Sequence, residues 1–239
     1  MEYNNYQQQP PSFFRSTAVQ TQTNAILKRV YVRMFIGLLI SAFVSLGVAS
    51  SETAIMFIYG NQIVFWGMLI AMFAMAFLIP VRLYKMQSST VLLLFFVYAA
   101  LMGAWLAPIF RVFHFGTIVY TFFITAGTFG AMSVYGYFTK TNLDRIGSFL
   151  IMALLGLIIL CIVNIFLANS AIEWVISIVG LLIFIGLTAY DTQQIRRLAA
   201  ANPEPQLADK LATMGAMNLY LDFINLFLFM LRIFGGNRN

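Results

Sequence analysis

The chain has 239 residues, of which 61% are hydrophobic and 9% are charged, and its formal net charge is +6. Ordinary soluble domains are about 45–50% apolar and about 25% charged, so the composition excludes a disordered chain, a disulfide scaffold and a cytosolic enzyme. The basic excess is typical of cytoplasmic loops in a membrane protein rather than of nucleic-acid binding. We therefore predict an all-α, polytopic membrane protein that binds membrane lipid and no nucleic acid.

The chain starts with a polar, glutamine-rich segment at residues 1–24. No early apolar region follows the start, so this segment is not a signal peptide. We interpret it as a disordered cytoplasmic tail, and residues 25–239 as one membrane domain.

Seven apolar runs follow the tail, and each approaches the roughly 20 residues that a helix needs to cross a bilayer. A shorter apolar segment at 53–60 either extends the second span or lies at the membrane interface. The seven runs cover residues 30–50, 63–80, 91–110, 117–138, 147–168, 174–195 and 213–234.

Lysine and arginine are distributed unevenly between the two sides of the membrane. If the N-terminus is inside, 11 of these residues lie inside and 3 lie outside, as the positive-inside rule requires. Seven spans put the C-terminus outside. The last run contains Asp222 near its middle, so it either spans the membrane or is re-entrant. If it is re-entrant, six spans remain and both termini lie inside.

Two acidic residues lie inside predicted spans, Asp191 in the sixth and Asp222 in the seventh. Charged groups are costly in hydrocarbon and by default mark function. Asp191 lies five residues before Arg196, and Asp222 lies nine residues after Thr213. These separations give depths of about 7 and about 13 Å, so the two carboxylates can face each other across one helical hairpin.

The last run also carries a polar stripe, because Asn218, Asp222 and Asn225 are spaced i, i+4, i+7 on one helix face. On the sixth run, Thr188 and Asp191 share a face. A polar face along an apolar helix must contact protein or water. The pattern predicts a central helix that lines a path.

Two close carboxylates repel each other when both are ionised, so the pair can share a proton. Such a pair suits a pH-controlled latch, or a Ca²⁺ site with further oxygen ligands from asparagines. In the alternative, each aspartate pairs with an arginine such as Arg82 or Arg196 and only holds helices together. The single cysteine, Cys161, and the single histidine, His114, exclude disulfides and multi-histidine metal sites, and we predict no cofactor beyond transiently bound Ca²⁺.

Six motifs carry a family resemblance, and the nine residues from Leu219 to Phe227 are the most specific. The others are Arg29-Val30-Tyr31, Leu106-Ala107-Pro108-Ile109, Phe129-Gly130-Ala131-Met132-Ser133, Thr139-Lys140-Thr141-Asn142-Leu143 and Tyr190-Asp191-Thr192-Gln193. Together they resemble the Bax inhibitor-1 family, also called the transmembrane Bax inhibitor motif family, with its bacterial YccA-like and YetJ-like branches.

The resemblance implies seven helices, with six around the last, and a pH-sensitive calcium leak. In bacterial members a proton-sharing aspartate pair closes the pore on the cytoplasmic side, and by motif this pair corresponds to Asp191 and Asp222. An arginine at the inner end of the second span modulates the pair, with Arg82 as the nearest candidate, and Arg232 corresponds to a second family arginine. Some members carry an acid in the second span, which residues 63–79 lack.

We therefore predict a calcium leak channel in the bacterial inner membrane that is gated by protonation of the aspartate pair. The YccA-like branch implies an alternative, a non-transporting regulator that binds a membrane-anchored ATP-dependent protease, and the two roles are compatible. Intramembrane aspartyl proteases also use a proton-sharing aspartate pair. Their Gly-x-Gly-Asp and Pro-Ala-Leu patterns are absent here, so we predict no enzymatic activity.

Overall fold

The computed structural model describes residues 12–201 and 203–235, and within these ranges it contains helices and no strands. The helices are α1 (Ser12–Ala49), α2 (Glu52–Tyr59), α3 (Gln62–Arg82), α4 (Ser88–Leu106), α5 (Ile109–Val112), α6 (Phe115–Phe138), α7 (Asp144–Leu167), α8 (Ser170–Ala200) and α9 (Pro205–Gly235).

Seven of these helices, all except α2 and α5, are long and apolar enough to cross a membrane. This confirms the predicted seven-helix fold. The last helix, α9, has 31 uninterrupted residues, which at about 1.5 Å per residue exceeds the roughly 30 Å of a bilayer core. It has the form of a spanning helix, not that of a re-entrant segment.

The short apolar segment at 53–60 forms α2, a separate helix. Ser51 caps its first turn by accepting a hydrogen bond from the backbone N–H of Ala54 at 3.3 Å. Asn61 then caps the start of α3 by accepting from the N–H of Ile63 at 3.0 Å. Because these two caps separate the helices, the segment does not extend the second span.

The beginning of α1 differs from the predicted tail. Residues 12–24 are helical and continuous with the first span, whereas residues 1–11 lie outside the described residues. Thr23 is buried, and the Gln22 side-chain amide donates to the carbonyl of Pro203 at 3.0 Å. These contacts order the segment against the loop between α8 and α9.

The last helix is central, as predicted. In its most apolar stretch 67% of the residues are buried, against 44% or less in every other span. It packs against α1, α4, α6 and α8, while α3 packs mainly on α4 and α7 mainly on α8. Its Tyr220 is fully buried and its hydroxyl lies 2.7 Å from the Ser41 hydroxyl, while the Ser41 hydroxyl also contacts the Ala99 carbonyl at 2.7 Å.

The helices alternate in direction, so the loops at 83–87 and 139–143 and the described loop residues 201, 203 and 204 lie at the same end of the bundle as the start of α1. We call this end the basic end because it carries most of the described Lys and Arg residues. These are Lys28, Arg29, Arg33, Arg82, Lys85, Lys140, Arg145, Arg196, Arg197 and Lys210. The opposite end carries α2, α5 and the start of α8.

Candidate functional site

The hairpin of α8 and α9 positions the two aspartates. At two levels a glycine of one helix lies directly against a side chain of the other. A Cβ added to Gly215 would lie 3.0 Å from Ile195, and one added to Gly180 would collide with the ring of Phe229. These two contacts define the antiparallel register of the pair.

In this register Asp191 lies at the level of Leu219, and Asp222 lies three residues further along α9. The axial offset between the two aspartates is therefore about 4.5 Å, at about 1.5 Å per residue. The two carboxyl groups lie close enough for their charges to affect each other. The structure thus brings the two predicted residues together near the centre of the bundle.

Asp222 is 4% exposed. Its Oδ2 atom is buried and has no hydrogen-bond partner among the described residues. Among the side chains of residues 19–201 and 203–235, no salt bridge involves either aspartate. Arg196 instead donates to the carbonyl of Tyr137 and lies 5.1 Å from the centre of its ring, so it does not neutralise the pair as the alternative interpretation requires.

A small cavity of about 60 Å³ adjoins the half-buried Asp191. Its walls include Asn218 and Gly215 from α9, Ile195 from α8 and Ile26 from α1. A space of this size with polar atoms in its wall can hold a few water molecules. The cavity extends from Asp191 toward the basic end, because its other α8 residues follow Asp191 in the chain.

Of the three polar residues predicted to line a path, the structure places only Asn218 in this cavity wall. The hydroxyl of Thr188 donates to the Phe184 carbonyl at 2.8 Å. The amide of Asn225 donates to the Leu221 carbonyl, also at 2.8 Å. Both side chains therefore donate to their own helix. The side-chain oxygen of Asn225 lies about one helical turn after Asp222 along α9.

The site offers few oxygen ligands for a cation. Within the described part of the chain, no group of three or more His, Cys, Asp or Glu residues could hold a metal ion. Ca²⁺ prefers six to eight oxygens, whereas Asp191, Asp222 and Asn218 together supply five side-chain oxygens.

The two arginines proposed as latches lie away from the pair. Arg82 is exposed at the end of α3, and α3 packs mainly on α2 and α4. Arg232 is exposed near the opposite end of α9, where it lines a groove of about 450 Å³ with Glu173 and Cys161. It follows Asp222 by ten residues, or about 15 Å of helix, so the structure brings neither arginine to the pair.

Sequence reasoning missed an ionic cluster that joins α1 to α9 at the basic end. One Arg33 nitrogen donates to the Asp209 carbonyl and to the Thr213 hydroxyl, both at 2.7 Å, and another pairs with the Asp209 carboxylate. Arg29 lies 3.5 Å from the same carboxylate. Arg29 and Arg33 are spaced i, i+4 in the sequence, and so are Asp209 and Thr213. The sequence does not show, however, that α1 and α9 are neighbours.

A second missed network holds the basic end of α8, two residues from Asp191. The Gln193 amide donates to the Thr141 carbonyl at 2.8 Å and accepts from the Leu143 N–H at 3.0 Å. Arg197 donates to the Gln193 side chain and to Asp144, both at 2.7 Å. The motifs at 139–143 and 190–193 therefore contact each other through hydrogen bonds of the Gln193 side chain.

Comparison with known proteins agrees with the motifs and the fold. The family model described as inhibitor of apoptosis-promoting Bax1 matches residues 23–239. An uncharacterized protein of Borreliella burgdorferi is 43% identical over 217 residues, covering 90% of this chain and 94% of its own length. Inner membrane protein YbhL of Escherichia coli K12 is 39% identical over 214 residues, which cover 89% of this chain and 92% of YbhL. The chain therefore belongs to the Bax inhibitor family and is an integral membrane protein.

Proposed function

We propose that this protein is a passive Ca²⁺ leak whose opening is controlled by protonation of Asp191 and Asp222. The observation that carries the proposal is the buried Asp222 carboxyl group on the central helix. It has an unpartnered oxygen, a second carboxyl group beside it, and no neutralising cation among the described residues.

Charge repulsion supplies the switching energy. Two unit charges about 5–10 Å apart repel by about 2–3 kcal/mol at an effective dielectric constant of about 20. A single shared proton removes this repulsion and lets the carboxyl groups join in a hydrogen bond. Low pH therefore favours the closed form, while loss of the proton drives α8 and α9 apart and opens the site.

The ligand chemistry supports a cation that passes through without being retained. Carboxylate and amide oxygens are the ligands that Ca²⁺ prefers in proteins. A conducting site must also release its ion, which requires weak binding. The pair and Asn218 at the wall of the adjoining cavity meet both conditions.

The positive-inside rule favours a cytosolic basic end, which places the cavity between the aspartates and the cytosol. The relative in Escherichia coli is an inner membrane protein, and we propose the same membrane for this chain.

The test is Ca²⁺ entry into proteoliposomes from pH 5 to 8, measured with a trapped fluorescent indicator. We expect a pH-dependent flux whose pH response changes in Asp191→Asn and in Asp222→Asn. The matched control is Glu173→Gln, because Glu173 is an exposed acid at the start of α8 and its substitution should leave the pH response unchanged.

Folded protein without flux at any pH would overturn the proposal, as would an unchanged pH response in Asp222→Asn. The absence of flux would favour the non-transporting role, with a membrane-anchored ATP-dependent protease as the partner. Co-purification of such a protease with the full chain would then be the next measurement.

A further inference from the structure

The first helix begins well before the membrane-spanning part of its sequence, and its early residues pack against the bundle. Thr23, Ile26, Leu27 and Val30 are all buried. Their spacing of i, i+3, i+4, i+7 is that of one helix face. Lys28 on the other side is exposed. We call residues 19–33 the α1 lid.

The α1 lid forms one wall of the aspartate cavity. Ile26 is 3% exposed and contributes to the same cavity wall as Asp191 and Asn218. Helix α1 packs against both α8 and α9. It therefore lies across the junction of the two helices that carry the aspartates.

Two polar attachments hold the lid on either side of Ile26. Gln22 donates to the Pro203 carbonyl at 3.0 Å, which ties the lid to the α8–α9 loop. Arg33 pairs with Asp209 and donates to Thr213, which ties the lid to α9. The two attachments are 11 residues apart, or about 16 Å of helix, so they span the cavity.

We propose that the α1 lid is an autoinhibitory element that separates the aspartate cavity from the aqueous phase at the basic end. A cation passes only when this segment moves away from α8 and α9. The ionic attachment at Arg33 sets how often that movement occurs. This inference rests on the proposed function, because it names the regulation of the same site.

The first experiment measures access to the cavity without measuring flux. Ala199 is 2% exposed and lines the cavity, so Ala199→Cys in a Cys161→Ser background is a small buried reporter. The rate of its reaction with a hydrophilic maleimide is measured in nanodiscs, where the basic end is accessible. We expect slow labelling with the lid intact.

Lid variants are then compared in the reporter background. Loss of a charge-assisted attachment in Arg33→Ala should raise the labelling rate on the order of tenfold, and Ile26→Ala should raise it as well. The control is Lys28→Ala, which removes a charge from the exposed face of the same segment and should leave the rate unchanged. Gln22→Ala removes a single hydrogen bond and provides a milder variant if Arg33→Ala does not fold.

The second experiment measures Ca²⁺ entry at a fixed pH in the same variants. Arg33→Ala should increase entry, and adding Asp222→Asn should change the remaining pH response. Equal labelling rates in the intact protein, Arg33→Ala, Ile26→Ala and Lys28→Ala would overturn the lid whatever the flux. If the lid variants label faster but none of the proteins conducts Ca²⁺, the proposed lid stands and the proposed Ca²⁺ leak is refuted.

Discussion

A close backbone approach between α6 and α8 at Gly136 allows a sharp test of the packing that positions the aspartates. A Cβ added to Gly136 would lie 2.9 Å from the Cα of Ala189 and closer still to its carbonyl oxygen. The obstacle is backbone, so no side-chain rotation can relieve the collision. Gly136→Ala must therefore push α8 away at a point two residues from Asp191.

The magnitude follows from two opposing terms. Overpacking of a well-packed core costs about 1–3 kcal/mol, while replacing glycine by alanine inside a helix gains about 0.5–1 kcal/mol. We expect Gly136→Ala to be less stable by about 1–2 kcal/mol. The control is Gly127→Ala on the same helix, where an added Cβ meets nothing within 4 Å and only the gain applies.

The assay is thermal unfolding of both variants in the same detergent. A difference of about 2 kcal/mol between them corresponds to about 4–8 °C in Tm for a chain of this size. Equal Tm values would refute the close approach of α6 and α8. If the proposed gate is right, Gly136→Ala also alters the pH response of Ca²⁺ entry, whereas Gly127→Ala does not.

Two further predictions concern polar contacts. Gln193→Ala leaves the Thr141 carbonyl and a backbone N–H without their partner, so it should cost about 1–3 kcal/mol and speed amide exchange of residues 139–143; unchanged exchange would contradict this. Tyr220→Phe removes the hydroxyl 2.7 Å from Ser41 while keeping the buried ring. It should cost about 1 kcal/mol in denaturant unfolding, and a stabilised variant would contradict the contact.

The two aspartates could be identified from the sequence because burying a charged group in a membrane span costs free energy whichever helix carries it. The depth argument assumed that the spans end near Arg196 and Thr213, whereas α8 continues to Ala200 and α9 starts at Pro205. Both helices are longer than predicted at the same end of the hairpin. The extensions are four residues for α8 and eight for α9, so the helix ends do not give the relative height of the two aspartates. The contacts at Gly215 and Gly180 set it instead.

The glycines show the limit of the same reasoning. Small residues favour close packing of membrane helices, and the fourth and sixth spans contain five glycines, Gly127, Gly130, Gly136, Gly180 and Gly186. The structure places Gly136, Gly180 and Gly186 against a neighbouring helix, while Gly127 and Gly130 meet nothing within 4 Å. A glycine does not itself show which face of its helix is covered.

Hydropathy is a local property, so the sequence by itself determined the seven spans, the excess of basic residues at one end and the two aspartates worth attention. Pairing between distant segments is not local. Arg33 and Asp209 are 176 residues apart, and only the packing of α1 on α9 brings them into contact. The same packing places Ile26 over the aspartate cavity and leaves Arg82 outside, because the tertiary arrangement decides which helix faces meet.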